Sequence, residues 1–225
     1  MSKEFFDAIK QGNLNEVQRL LSLNFSLIHE KDGGLSPVMC AAYCQELRIV
    51  EFLSDKTETL NIFEAAATGK TNQIVRHLAR DPMLVNAYAY DGFQPLGLAC
   101  FFGHYGTAEY LIKVGAQINT LSHNSLGAAP IQSAAAAGHS KLVTLLLNNG
   151  ANPNVRENNG LTPLHTAAEQ GNAQMIRSLL FNGADLTIRS HSGKIPIDMA
   201  IEAGNNEAAA LLKEGITRRF RERRV

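Results

Sequence analysis

Apolar residues recur in short runs at helical spacing, as in Leu142, Val143, Leu145, Leu146 and Leu147, and glycines punctuate these runs at regular places. Pro95, Pro130, Pro163 and Pro196 stand 35, 33 and 33 residues apart. Each is followed eight residues later by a glycine: Gly103, Gly138, Gly171 and Gly204. A second glycine closes the longer apolar run about 20 residues after the proline, in Val114-Gly115-Ala116, Asn149-Gly150-Ala151 and Asn182-Gly183-Ala184. A third stands three positions before each of these prolines and before Pro37, at Gly34, Gly92, Gly127, Gly160 and Gly193. Three glycines and a proline held in one register predict an internal repeat.

Each part of the period has a physical reading. Proline fixes φ and lacks an N–H, so it suits the first turn of a helix, with Ser36 or Thr162 before it as the cap. The small pairs that follow, Ala41-Ala42, Ala134-Ala135 and Ala167-Ala168, let neighbouring helices approach closely. The glycine in mid-repeat ends this short helix where φ can be positive. A second helix carries the apolar run, and Gly150-Ala151-Asn152-Pro153-Asn154 then turns the chain into an extended connection. The predicted unit is helix, turn, helix and hairpin finger.

This register resembles the ankyrin repeat, whose pattern includes Gly-x-Thr-Pro-Leu-His-x-Ala-Ala, then Gly-His, then Leu-Leu-Leu-x-x-Gly-Ala-Asp-x-Asn. Residues 159–187 match it closely and 124–154 match from Pro130 onward. Residues 91–119 and 192–215 match more loosely, with Gln94 and Ile195 where threonine is usual, and 32–56 carry Gln45 in place of the mid-repeat glycine. Phe5-Phe6-Asp7-Ala8-Ile9 with Gly12 resembles Ile62-Phe63-Glu64-Ala65-Ala66 with Gly69, so 4–58 and 61–116 read as a duplicated two-repeat unit.

With Glu4 and Asn61 at the proline-equivalent position, the anchors fall at 4, 37, 61, 95, 130, 163 and 196. The step from 37 to 61 is short by about nine residues, the size of a finger, so a finger is missing or truncated near residues 54–60. The expectation is an all-α ankyrin-repeat solenoid of about seven repeats including caps, spanning 1–215, with a basic tail at 216–225. Approximate repeat bounds are 1–28, 29–58, 59–88, 89–121, 122–156, 157–189 and 190–215.

Composition agrees with a folded chain: 225 residues, 45% apolar and 19% charged, with Lys plus Arg and Asp plus Glu both 21. That balance supplies no overall field to steer nucleic acid. Three cysteines, Cys40, Cys44 and Cys100, make no complete disulfide framework and suit a reducing compartment. With no 18-residue apolar stretch, the expected setting is cytoplasmic, with a nuclear location or a host cytoplasm as alternatives.

Candidate chemistry is sparse. His165 lies in the Thr-Pro-Leu-His phrase, and His104 and His139 follow the mid-repeat glycine. The resemblance implies structural roles at these positions, with His165 bonding between repeats. His29, His77, His123 and His191 are scattered without ligand spacing. Cys40 and Cys44 share a helix face but lack a second ligand pair. Cys40 reads as a small core residue, and Cys44 as a face residue with no base beside it. Gly69-Lys70-Thr71 has no glycine five residues earlier, so it is not a phosphate loop. No catalytic residue, metal or cofactor is expected, and the chain reads as a non-enzyme; an enzyme would need a site near 54–60, using Cys44 or His77.

The resemblance implies binding through finger tips and the concave side of the first helices. These positions hold Tyr90, Asp91, Phe93, Phe101 and Phe102 in the fourth repeat, Leu35, Tyr43 and Cys44 in the second, Ala67 and Thr68 in the third, and Asn158, Asn159, Leu161, Glu169 and Gln170 in the sixth. Aromatics there supply interface anchors, so Tyr43, Tyr90, Phe93, Phe101 and Phe102 are the candidate partner-binding residues. The competing reading is that these rings fold over the missing finger and fill core. Asn119 and Asn154 match a finger position that is hydroxylated in some animal ankyrin proteins.

The expected function is a scaffold, adaptor or regulatory subunit whose partner is a protein, with no small-molecule substrate. One alternative is a nucleic-acid-associated regulator using Arg218, Arg219, Arg221, Arg223 and Arg224, although nucleic acid is not the expected partner. Another is a microbial effector binding a host protein.

Overall fold

The computed structural model describes residues 1–222, with side chains through Thr217. Seven helix pairs follow one another: α1 Ser2–Lys10 with α2 Leu14–Leu23, α3 Pro37–Tyr43 with α4 Leu47–Lys56, and α5 Ile62–Ala67 with α6 Thr71–Arg80. Next come α7 Pro95–Phe101 with α8 Tyr105–Lys113, α9 Pro130–Ala136 with α10 Ser140–Asn148, α11 Pro163–Glu169 with α12 Ala173–Phe181, and α13 Pro196–Glu202 with α14 Asn206–Glu222. Among the described residues there is no β-strand, only an isolated pairing of Asp32 with Leu35. The basic segment lies largely outside the described side chains, so the expectation placed on its arginines does too; α14 runs without a break to Glu222.

Successive first helices pack on one another, as do successive second helices apart from α4 and α6, and one apolar core runs from Phe5 to Leu212. Ala134, Ala135, Ala167 and Ala168 are fully buried, which is what permits the close approach of α9, α11 and α13. No pair could bury its apolar faces alone, so each unit is held by its neighbours.

Polar side chains tie one repeat's backbone to the next. The third residue of α9 and of α11 does this. Gln132 accepts from the Ala129 N–H (2.9 Å) and donates to the Leu161 carbonyl of the following finger (3.1 Å). His165 accepts from the Thr162 N–H at Nδ1 (3.1 Å), which leaves Nε2 to donate to the Lys194 carbonyl (3.1 Å). The imidazole is therefore the neutral Nε2–H tautomer. Thr162 departs from the expected cap: its hydroxyl lies 2.8 Å from the His165 ring, whereas Ser36 accepts from the Met39 N–H as expected.

A second tie runs beneath the mid-repeat turns. His104 and His139 donate from Nε2 to Ala67 O (2.9 Å) and Phe101 O (3.2 Å), one repeat back. Their rings sit on Gly69 and Gly103, where a Cβ would come within 2.6 and 2.8 Å of ring atoms. A third tie is an asparagine ladder. Asn86, Asn119 and Asn154 each donate to a carbonyl of the next repeat (Gly115, Gly150, Gly183) and accept from an N–H there (Gln117, Asn152, Asp185).

The duplicated start is visible in the backbone. Short 3-10 helices at Phe25–His29 and Pro82–Asn86 follow α2 and α6, capped by Asn24 and Asp81. Counting from the glycine had set Asn61 at the proline position. Asn61 instead caps α5, accepting from Phe63 and Glu64 N–H groups, and Ile62 begins a helix of only six residues. At Gln45, which replaces the mid-repeat glycine, φ is +60°, the one left-handed non-glycine among the described residues.

Two outcomes follow for stability. Left-handed backbone costs a residue with a Cβ about 1–2 kcal/mol, partly offset by glycine's greater unfolded freedom. Gln45→Gly should therefore raise unfolding free energy by roughly 0.5–1 kcal/mol in urea titration; no gain would show that Gln45 is unstrained. Burial depresses the imidazole pKa of both His104 and His165. Below about pH 6.5 the unfolded chain takes up protons that these folded rings refuse, so stability falls as pH drops through that window and is unaffected above it. His165→Gln, which copies Gln132, should keep stability at pH 7.5 and flatten the acid slope; an unchanged slope would contradict this.

Candidate functional site

The joint between the second and third repeats has no finger. Residues 57–61 connect α4 directly to α5, and Leu60 is fully buried there as a plug. Two α6 side chains satisfy its backbone: Gln73 accepts from the Leu60 N–H (2.9 Å) and His77 donates from Nε2 to the Leu60 carbonyl (2.7 Å). The ring of His77, a candidate for chemistry in this gap, is thus engaged in holding the shortened connection.

Aromatic rings cross above this joint. Tyr43, at the end of α3, lies 6.1 Å from Phe101 and 5.2 Å from Phe102 between ring centroids, and the two phenylalanines meet edge to face at 5.1 Å. Repeat three offers only Ala67 and Thr68 at the corresponding positions, so rings from repeats two and four can meet across it. The Tyr43 hydroxyl donates to Asp91 Oδ2 at 2.6 Å, fixing α3 to the fourth finger. Burial, reinforced by this bond to a carboxylate, holds the Tyr43 phenol well above the ordinary tyrosine range.

The five candidate residues divide into two places. Tyr43, Phe101 and Phe102 form the ring cluster, each half-buried, with Tyr43 and Phe102 also packed on the core. Phe93 and Tyr90 belong to the fourth finger. Phe93 packs on the core, while Tyr90 is 79% exposed with its ring lying over Gly34. A Cβ on Gly34 would fall 2.1 Å from that ring, so glycine alone admits it. Between Leu35, Met39, Phe63 and Tyr90 lies a cavity of about 270 Å³, in the place of the missing finger.

Residues 131–219, spanning α9 to α14, match the family model of ankyrin repeats in three copies. These are ankyrin repeats. The same helix-pair arrangement continues through the four amino-terminal units, giving an all-α solenoid of helical repeats among the described residues.

Other candidate chemistry takes ordinary places. Cys40 is buried, its thiol pushed up to about 11 chiefly by desolvation, and Cys100 is fully buried and raised for the same reason. Cys44 is half-buried at the end of α3. His123 stacks on Tyr88 with centroids 3.6 Å apart. Among the described residues no three His, Cys, Asp or Glu side chains are grouped to hold a metal ion, and no helix is long and apolar enough to cross a membrane. Sequence reasoning placed Asp91 at a finger tip but missed its bond to Tyr43, and missed the pairing of Gln73 and His77 with Leu60.

Tyr43→Phe keeps the ring cluster and removes only the bond to Asp91. Unfolding free energy should fall by about 1–3 kcal/mol because the Asp91 carboxylate loses a donor. Chemical denaturation measures this; a neutral result would mean that the bond is replaced by water at no cost.

Proposed function

We propose that the protein is a non-catalytic protein-recognition module that holds its partner on the first-helix face of repeats two to four. Ankyrin repeats generally mediate protein–protein interaction. The observation that carries the present reading is the aromatic surface running from Tyr43, Phe101 and Phe102 to the exposed Tyr90. Aromatic rings supply large contact area with few torsions to freeze, and exposed examples at one place on a rigid frame are suited to anchoring a partner. The ties between repeats hold that frame before binding, so little ordering entropy is lost.

The rings also contribute to folding through their contacts with one another and with the core. Binding and structural loads are therefore separated by variant. Phe101→Ser with Phe102→Ser should lower stability by several kcal/mol in total, whereas Tyr90→Ala should leave it nearly unchanged. In affinity capture from native lysate, beside circular dichroism, a specific partner retained by wild type should be lost with the double variant and weakened with Tyr90→Ala. Equal retention by all three folded proteins would remove this face from the interface.

A further inference from the structure

We propose that the cavity left by the missing third finger is a docking site for an extended, acidic segment of a protein partner, which takes the finger's place in the row. The inference deepens the proposed recognition function and rests on it. Its basis is a broken hydrogen-bond pattern between fingers. The fifth finger donates to the fourth through His123 N–H to Gly92 O (2.8 Å). The sixth donates to the fifth through Asn158 N–H to Leu126 O (2.9 Å), and the seventh to the sixth through His191 N–H to Asn159 O (3.0 Å).

Tyr90 occupies the position of Asn158 and His191; Ser125 of the fifth finger also stands there, but that finger makes its bond through His123 instead. In the fourth, sixth and seventh fingers the preceding residue bonds across the hairpin, by Ala89 N to Phe93 O, Glu157 N to Leu161 O and Ser190 N to Lys194 O. The residue two positions onward closes the turn, by Gly92 N to Ala89 O, Gly160 N to Glu157 O and Gly193 N to Ser190 O. Yet the Tyr90 N–H has no partner among the described residues. On the facing side, Gly33 and Gly34 form the tip of the second finger, and neither makes a hydrogen bond. Tyr90 and Gly34, both lining the cavity, thus leave main-chain groups that an added extended strand satisfies.

Side chains define what fits. The floor is apolar, formed by Leu35, Met39 and Phe63, and the volume of about 270 Å³ suits a small apolar side chain with its flanking backbone. Two charged residues line the cavity, Asp91 and Lys31. The two Asp91 oxygens already accept from the Tyr43 hydroxyl and the Phe93 N–H. Lys31 is exposed and has no ion pair among the described residues, whereas the neighbouring Asp32 is neutralised by Lys10 at 2.6 Å. An acidic residue beside the inserted apolar one would pair with Lys31. Tyr90 is the movable wall: its ring rests on a glycine, is mostly solvated, and can turn aside to admit the segment.

The test uses a displayed library of disulfide-looped nine-residue peptides selected on the full chain. Enriched loops should carry Asp or Glu next to a small apolar residue and slow amide exchange at Tyr90. Lys31→Glu, an exposed change that leaves the fold intact, should weaken them about tenfold or more. A second variant, with residues 154–162 inserted between Glu58 and Thr59 to restore a finger, should not bind them. Loops that bind wild type and Lys31→Glu equally, loops that leave Tyr90 exchange unchanged, or no enrichment would overturn the proposal. So would a loop site that is lost only on self-association, which sedimentation would reveal. Failure here leaves the ring-cluster variants as an independent test of the recognition function.

Discussion

Everything in this molecule depends on backbone groups of one repeat being satisfied by side chains of another. A helix pair with a short finger exposes both an apolar face and many main-chain donors and acceptors. Stacking buries the face, but close packing of alanine-rich helices leaves little room for water to satisfy the polar groups. Gln132 and His165 meet this constraint inside the stack, His104 and His139 beneath the turns, and Asn86, Asn119 and Asn154 along the loops. These bonds are directional, so they set the register between repeats as well as contributing stability.

The same constraint explains the unusual third repeat. Without a finger, the connection at Leu60 would bury an unsatisfied backbone amide. From the second helix, Gln73 accepts from its N–H and His77 donates to its carbonyl, which lets the core remain continuous through the shortened joint. What this local solution does not restore is the contact between fingers. The Tyr43 bond to Asp91 and the rings above it span the break instead, at a level closer to the helices.

Much of the fold was legible because its determinants are local. Proline at a first turn and glycine at positive φ reveal themselves without knowledge of distant contacts, and the period multiplies the signal. The shortened joint was legible for the same reason, as a defect in spacing. The one-residue shift at Asn61 was hidden because the glycine register and the cap register disagree in a six-residue helix. The 3-10 turns at Phe25–His29 and Pro82–Asn86 were hidden because no glycine marks them. For the candidate site, aromatic enrichment identified the neighbourhood, but Tyr43 and Asp91 are 48 residues apart in sequence. Their pairing follows from stacking geometry and from the small Ala67 and Thr68 between them, which no periodicity encodes.

The uneven asparagine ladder has a mechanical consequence. It runs from Asn86 through three joints to the sixth repeat, while among the described residues the seam after the second repeat has neither this rail nor a bond between finger tips. The load between the second and fourth repeats therefore falls on Tyr43, whose bond to Asp91 is the only hydrogen bond joining those two repeats among the described residues.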